Sequence, residues 1–203
     1  NYHLRKMVYG EFIPPCLCDI IQNNIDAGFY DPEFTELFTK DEINQLQEYI
    51  DHERDEVLTY AAMEQFRGKY LVQNRATGQI FETPQVAYMM IAATLFAKYP
   101  EDTRMSYIKA YYDAISLFKI SLPTPVMAGV RTPQRQFSSC VLIETDDSLD
   151  SINATTSSIV KYVSQKAGIG IGAGSIRAVG SKIRSGDATH TGVIPFYKLF
   201  QSA

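Results

Sequence analysis

Phe137-Ser138-Ser139-Cys140-Val141-Leu142-Ile143, then Asp147-Ser148-Leu149-Asp150-Ser151-Ile152, then Gly168-Ile169-Gly170-Ile171-Gly172-Ala173-Gly174: these three stretches decide the fold. The first is a short run of strand character. In the second, Asp147 or Ser148 supplies a side-chain oxygen able to cap a helix. That helix is expected to carry Ile152, Ile159, Val160 and Val163 and to end near Gln165. The third is a glycine-rich strand. Strand, helix, strand is the arithmetic of a βαβ unit.

Upstream, Ile120-Ser121-Leu122-Pro123-Thr124-Pro125 is expected to be extended, because a residue before proline is pushed out of the helical region. Before it the helical period dominates. Leu17, Ile20, Ile21 and Ile25 follow Pro14-Pro15 at the spacing of one helix face, and Gly28 sits where a C-terminal glycine belongs. Thr39 with Glu42 is a capping-box signature for a helix from Lys40 to about Asp55. Thr83-Pro84 offers a cap and a first-turn proline for a helix over 85–98. Another helix spans 101–117, with Tyr107, Ala110, Tyr111, Ala114 and Phe118 expected on its buried side. Between them, residues 70–81 read as a hairpin turning at Ala76-Thr77-Gly78. Residues 1–135 carry 13 basic and 18 acidic side chains, and residues 136–203 carry 6 and 5. A helical domain over 1–135 and an α/β domain over 136–203 are therefore expected.

The 203 residues are 45% hydrophobic and include 13 Tyr and 11 Phe, which excludes general disorder. A net charge of −4 argues against nucleic-acid binding. The longest apolar run, 86–97, falls short of the roughly 20 residues that cross a bilayer, so no membrane association is expected. Three cysteines, two of them one residue apart, favour a reducing compartment over a disulfide framework. The chain opens without Met and stops inside what reads as an amphipathic helix begun near Gly192, so a piece of a longer protein is expected.

Candidate chemistry is sparse. The run 168–174 lacks the third glycine of a dinucleotide fingerprint and follows a helix instead of a strand. A nicotinamide-dependent oxidoreductase is thus a weak alternative. Cys16-Leu17-Cys18 is too closely spaced for zinc, and His3, His52 and His190 show no ligand spacing, so no metal site is expected. Cys140 is either a core thiol or one presented at the mouth of a barrel. The segment 175–186, with Arg177, Lys182 and Arg184 among glycines and serines, is either a solvated loop or a phosphate-binding one. A non-catalytic helical interaction module would account for the first 135 residues alone.

Phe118 to Pro133, Arg135 to Glu144, Asp147 to Asn153, and Lys166 through Lys198 together resemble the large (alpha) subunit of class I ribonucleotide reductase, closest to the class Ia type. The resemblance runs along the whole chain and is most specific after Lys119. It implies a helical domain followed by the first strands and helices of a ten-stranded α/β barrel. It also implies the reduction of ribonucleoside diphosphates through a thiyl radical. Residue by residue, Cys140 matches the first thiol of the redox pair. Thr124 and Ser139 match substrate-binding positions, and Ala167 with Gly168 match backbone contacts to substrate. Asp147, Ser148, Leu149, Arg177, Ile183 and Arg184 match an allosteric site for a deoxynucleoside triphosphate or ATP, which tips the open reading of the 175–186 loop toward phosphate.

The resemblance further implies a cytoplasmic homodimer with no cofactor in this chain. Its partners would be the remaining part of the large subunit and a small subunit bearing a di-iron tyrosyl radical. Thioredoxin or glutaredoxin would serve as reductant. The thiyl cysteine and the partner of Cys140 match no position here, so the 203 residues alone are expected to be inactive. Cys16 and Cys18 receive no role.

Overall fold

Residues 2–165 and 167–203 are described by the computed structural model, which divides the chain into two units, Asn1–Phe137 and Ser138–Ala203. In the first unit, α1 (Tyr2–Tyr9) precedes α2 (Leu17–Asp26). Helix α2 buries Leu17, Ile20 and Ile21, the expected face, and starts at Leu17 with Cys16 as its cap residue instead of at the proline pair. Gly28 follows with φ +75°, the left-handed conformation that ends a helix without a Cβ clash. After α3 (Glu33–Leu37) comes α4 (Lys40–Tyr49). The Thr39 hydroxyl accepts from the Glu42 N–H at 3.3 Å, and the Glu42 carboxylate accepts from the Thr39 N–H at 2.9 Å.

Helix α4 stops at Tyr49, not near Asp55. Two bonds replace the missing helical ones: the Asp51 N–H donates to the Tyr112 hydroxyl at 3.0 Å, and the Asp51 carboxylate caps the Glu53 N–H at 3.1 Å. A 3-10 turn, His52–Val57, follows. Helix α5 (Tyr60–Gln65) runs into a π turn, Phe66–Tyr70. Strands β1 (Gln73–Asn74) and β2 (Gln79–Ile80) form the expected antiparallel hairpin, with Gly78 at φ +73° in its turn.

Helix α6 (Pro84–Phe96) is the core of this unit: every residue from Pro84 to Ala93 is buried. A helix apolar on all sides is stable in water only when surrounded, and α7 (Glu101–Ser116), α8 (Thr124–Gly129) and the 3-10 turn pack around it. Thr83 makes no cap bond with its side chain; being fully buried, its hydroxyl meets the Tyr9 hydroxyl at 3.4 Å instead. On α7 the buried side runs through Arg104, Ile108, Tyr112 and Ile115. The side expected there is a half-exposed rim: Tyr107 stacks on Phe96 with centroids 5.8 Å apart, Ala110 is exposed, and Phe118 lies beyond the helix end. The tetrad Ile108, Tyr112, Ile115 and Arg104 wins because α6 offers an apolar surface while Glu42 awaits the guanidinium.

One charge pair sits inside this unit. Arg131 forms a bidentate ion pair with Glu82, both side chains inaccessible to solvent. Arg131 also donates to the Met127 and Tyr70 carbonyls, while Glu82 accepts from the Val72 N–H at 2.7 Å and from Tyr30. Burial with this carboxylate pushes the Tyr30 hydroxyl well above its ordinary pKa. A buried pair persists only when its remaining donors and acceptors are satisfied, and here they join α8, the π turn and the β1–β2 hairpin.

The second unit is built on β3 (Cys140–Glu144), α9 (Leu149–Ser164) and β4 (Gly168–Gly172), with β3 and β4 parallel and Cys140 opposite Gly168. This is the expected βαβ arrangement. Strands β5 (Lys182–Ile183) and β6 (Ala188–Thr189) pair antiparallel, and α10 (Ile194–Ser202) follows. Ile152 and Ile159 of α9 join Ala173, Ile176 and Phe200 in the core, with Ile169 and Ile171 against it. Val160 and Val163, expected on that face, are more than half exposed. Among the described residues the strands form no closed barrel.

Candidate functional site

The repeat Gly168-Ile169-Gly170-Ile171-Gly172 explains how the strand pair presents its chemistry. With a period of two, both isoleucines face α9 and all three glycines face away. The same outward face carries Cys140, Leu142 and Glu144, which are exposed and lie opposite Gly168, Gly170 and Gly172. A Cβ at Gly170 would fall 2.8 Å from Leu142 Cδ2, and one at Gly172 2.1 Å from Glu144 Oε2. The glycines therefore make room for side chains of the neighbouring strand. They do not form a strand-to-helix turn, which removes the geometric basis of a dinucleotide site.

Two groups of predicted site residues lie at opposite ends of this pair. At the amino ends, Ser139, Cys140, Ala167 and Gly168 come together. The Gly168 N–H donates to the Ser139 carbonyl at 2.9 Å, and Cys140 Sγ lies 3.6 Å from Ser139 Oγ. Cys140 is an exposed free thiol, not a core residue. Ala167 is buried, its N–H bound to the Tyr162 carbonyl at the end of α9. Thr124 belongs to the first unit, where it is the exposed first residue of α8, not part of an extended segment. A proline in the first helical turn is tolerated because its missing N–H would have no helical acceptor there.

At the carboxyl ends, where open α/β sheets place their ligands, lies a cleft of about 430 Å³. Asp147, Ser148, Leu149, Arg177, Ile183 and Arg184 all line it. Ser148 caps α9 by accepting from the Ser151 N–H at 3.1 Å. Asp147 binds the Arg177 N–H at 3.2 Å and its Nε at 2.6 Å, tying the start of α9 to the segment after β4. The Arg177 backbone N–H and guanidinium hold the Asp147 carboxyl below the usual carboxylate range. Arg184 and Ser185 are both left-handed, at φ +50° and +57°, in the tight turn between β5 and β6. Arg184 is exposed and has no ion pair among the described residues.

Ile152, Thr189, His190, Thr191 and Phe196 also line the cleft and were missed by sequence reasoning. A lone histidine followed by Thr191 and Gly192 carries no spacing signal; the fold alone brings it to the site. Among the described residues no three His, Cys, Asp or Glu side chains are grouped to hold a metal ion, and no helix is long and apolar enough to cross a membrane. Cys16 and Cys18 are half-buried free thiols at the start of α2.

Residues 56–135 match the family model for the ribonucleotide reductase all-alpha domain, and residues 138–203 match that for the ribonucleotide reductase barrel domain. The whole chain is 61% identical to ribonucleoside-diphosphate reductase 1 subunit alpha of Escherichia coli K12, covering 26% of that protein. It is 60% identical to the alpha subunit of Haemophilus influenzae and 52% to that of phage T4, again over the whole chain and 27% of each relative. The chain spans about a quarter of the length of these curated relatives. It belongs to the large-subunit family of ribonucleotide reductases, class Ia type, and holds part of the helical domain and the start of the barrel domain.

Proposed function

We propose that this chain works as part of a large subunit that reduces ribonucleoside diphosphates to deoxyribonucleoside diphosphates, and that it carries one redox thiol and the allosteric nucleotide site. The observation that carries the reading is the convergence of Asp147, Ser148, Leu149, Arg177, Ile183 and Arg184 on one cleft. The cleft has apolar walls for a base in Leu149 and Ile183, and hydroxyl and carboxylate groups for a sugar. Arg184, free of internal pairing, is the cation for the phosphates. Arg177, already bound to Asp147, shapes the site more than it neutralises ligand charge.

At the other end of the strands, removal of the 2′-hydroxyl takes two electrons, which a dithiol supplies by closing to a disulfide. Cys140 is the thiol nearest the leaving hydroxyl. Its exposure on a glycine-flanked face leaves space for a sugar above it, with Ser139 and the backbone of Ala167 and Gly168 as substrate contacts. The partner thiol and the thiyl cysteine that removes the 3′-hydrogen come from the remainder of the large subunit. A small di-iron subunit delivers the radical, thioredoxin or glutaredoxin restores the dithiol, and the large subunit acts as a cytoplasmic homodimer.

Binding of dTTP to the full-length large subunit tests the allosteric reading. Arg184→Ala is expected to weaken binding about ten- to a hundredfold, the loss of one charge-assisted phosphate contact. Unchanged affinity would return the loop to a solvated surface.

A further inference from the structure

We propose that His190 is a recognition residue of this cleft, donating a hydrogen bond from Nε2 to an acceptor oxygen of the bound nucleotide. The proposal rests on the allosteric reading above and adds a residue to it.

Four observations place the ring. His190 lines the cleft and is half-buried there. Its Nδ1 accepts from the Gly192 N–H at 3.0 Å, so in the neutral ring the only N–H is on Nε2. The ring stacks on Phe196, with centroids 5.6 Å apart and planes 12° from parallel. Its backbone is held on both sides: the His190 N–H donates to the Ser181 carbonyl at 2.8 Å, and the His190 carbonyl accepts from the Gly180 N–H at 2.9 Å. Gly192 makes the first contact possible. Its φ is +83°, and a Cβ there would lie 3.2 Å from Val179 Cβ.

The imidazole is thus fixed in tautomer, tilt and position before any ligand arrives. Among the described residues Nε2 has no acceptor of its own; like Arg184 it is unspent, whereas Asp147 is engaged by Arg177 and Ser148 by the α9 cap. A pre-set, unspent donor in a nucleotide-sized cleft loses little conformational entropy on binding. It suits a phosphate oxygen or a base carbonyl.

The test is equilibrium binding of dTTP to the full-length large subunit carrying His190→Ala, His190→Phe or His190→Gln, beside Arg184→Ala. The Ala and Phe variants are each expected to weaken binding about tenfold or more, as for a lost hydrogen bond to a charged group. His190→Gln, which can donate from its amide, is expected to recover most of the loss. His190→Phe keeps a ring against Phe196 but has no N–H, so wild-type affinity in that variant overturns the donor role. If His190→Ala fails to fold, the Phe and Gln pair decides alone. Weakened binding in Arg184→Ala with no effect at His190 overturns this inference only. Wild-type affinity in all four variants removes the allosteric reading as well.

Discussion

Cys140 shows how exposure separates chemistry from packing at the level of one residue. As a core thiol it would lose stability on conversion to serine. As an exposed one, at the end of a strand, it has little packing to lose, and Cys140→Ser is expected to change unfolding stability by less than about 0.5 kcal/mol. In the full-length subunit, with the small subunit and thioredoxin, the same variant is expected to give no multiple-turnover deoxynucleotide formation. Near wild-type turnover would make Cys140 a surface residue and no more. A second pair of residues sets a pH dependence. Burial raises the Asp55 carboxyl to about 6, against the bond from Gln85 and the charge of Arg5. Three residues away, burial and Arg5 lower His52 to about 4. The folded state binds the Asp55 proton more tightly than the unfolded chain, so this contribution is full below about pH 4 and is lost as pH rises through 6. His52 binds its proton more weakly when folded, so its contribution is present above pH 6.5 and is lost as pH falls through 4. The two slopes oppose each other over the same window. Relative to wild type, Asp55→Asn is expected to lose stability between pH 6.5 and pH 4, and His52→Gln to gain it, each by about 2–3 kcal/mol. Urea unfolding at several pH values measures both, and parallel profiles for the two variants would refute the opposition.

Among the elements, α4 and α7 are coupled through one carboxylate. Glu42 completes the capping box of α4 and also accepts two guanidinium nitrogens of Arg104 on α7, at 2.6 and 2.8 Å. Burial disfavours its charge, but Arg104 and the Thr39 cap outweigh burial and hold the carboxyl below the usual range. The cap alone and the ion pair are separable. Thr39→Ala removes the hydroxyl partner and is expected to cost about 1 kcal/mol. Glu42→Gln leaves the nearly buried Arg104 without its counter-charge and is expected to cost about 3 kcal/mol or more. Equal costs in urea unfolding would mean that the interhelical pair adds nothing to the cap. The capping box was legible because its two residues stand three apart. Arg104 was not, because 62 residues separate it from Glu42 and nothing local marks them as partners.

For the molecule as a whole, the inventory of thiols limits what these 203 residues do alone. Of the three cysteines, Cys16 and Cys18 sit at the start of α2 in the first unit, and Cys140 is alone in the second. With no second thiol in its own unit, Cys140 has no local partner for a two-electron reduction. The purified 203-residue chain is therefore expected to form no deoxynucleotide when mixed with the small subunit, substrate and thioredoxin. Product clearly above background would sink this expectation and, with it, the division of the thiols between this chain and the rest of the large subunit.

What the sequence determined by itself was everything carried by short spacing. The period of three to four residues marked the helices, the period of two set the glycine and isoleucine faces of β4, and Thr39 with Glu42 marked a helix start. Strand, helix and strand in succession implied the parallel pair, and the residues from Lys119 onward carried the family. Tertiary structure decided what depends on distant partners. It chose which side of α7 is buried, because α6 supplied the apolar surface; it ended α4 at Tyr49, because Tyr112 captured the Asp51 N–H. It turned Thr83 from a cap into a partner of Tyr9, since a buried hydroxyl bonds whatever polar group packing brings to it. The candidate allosteric site divides the same way. Six of its residues were named from the resemblance, but only the fold showed that Arg177 is spent on Asp147 and Arg184 is not, and only the fold brought His190 and Phe196 to the same cleft. Local pattern reports on neighbours along the chain, whereas burial and pairing are settled by whichever distant surfaces the completed fold presses together.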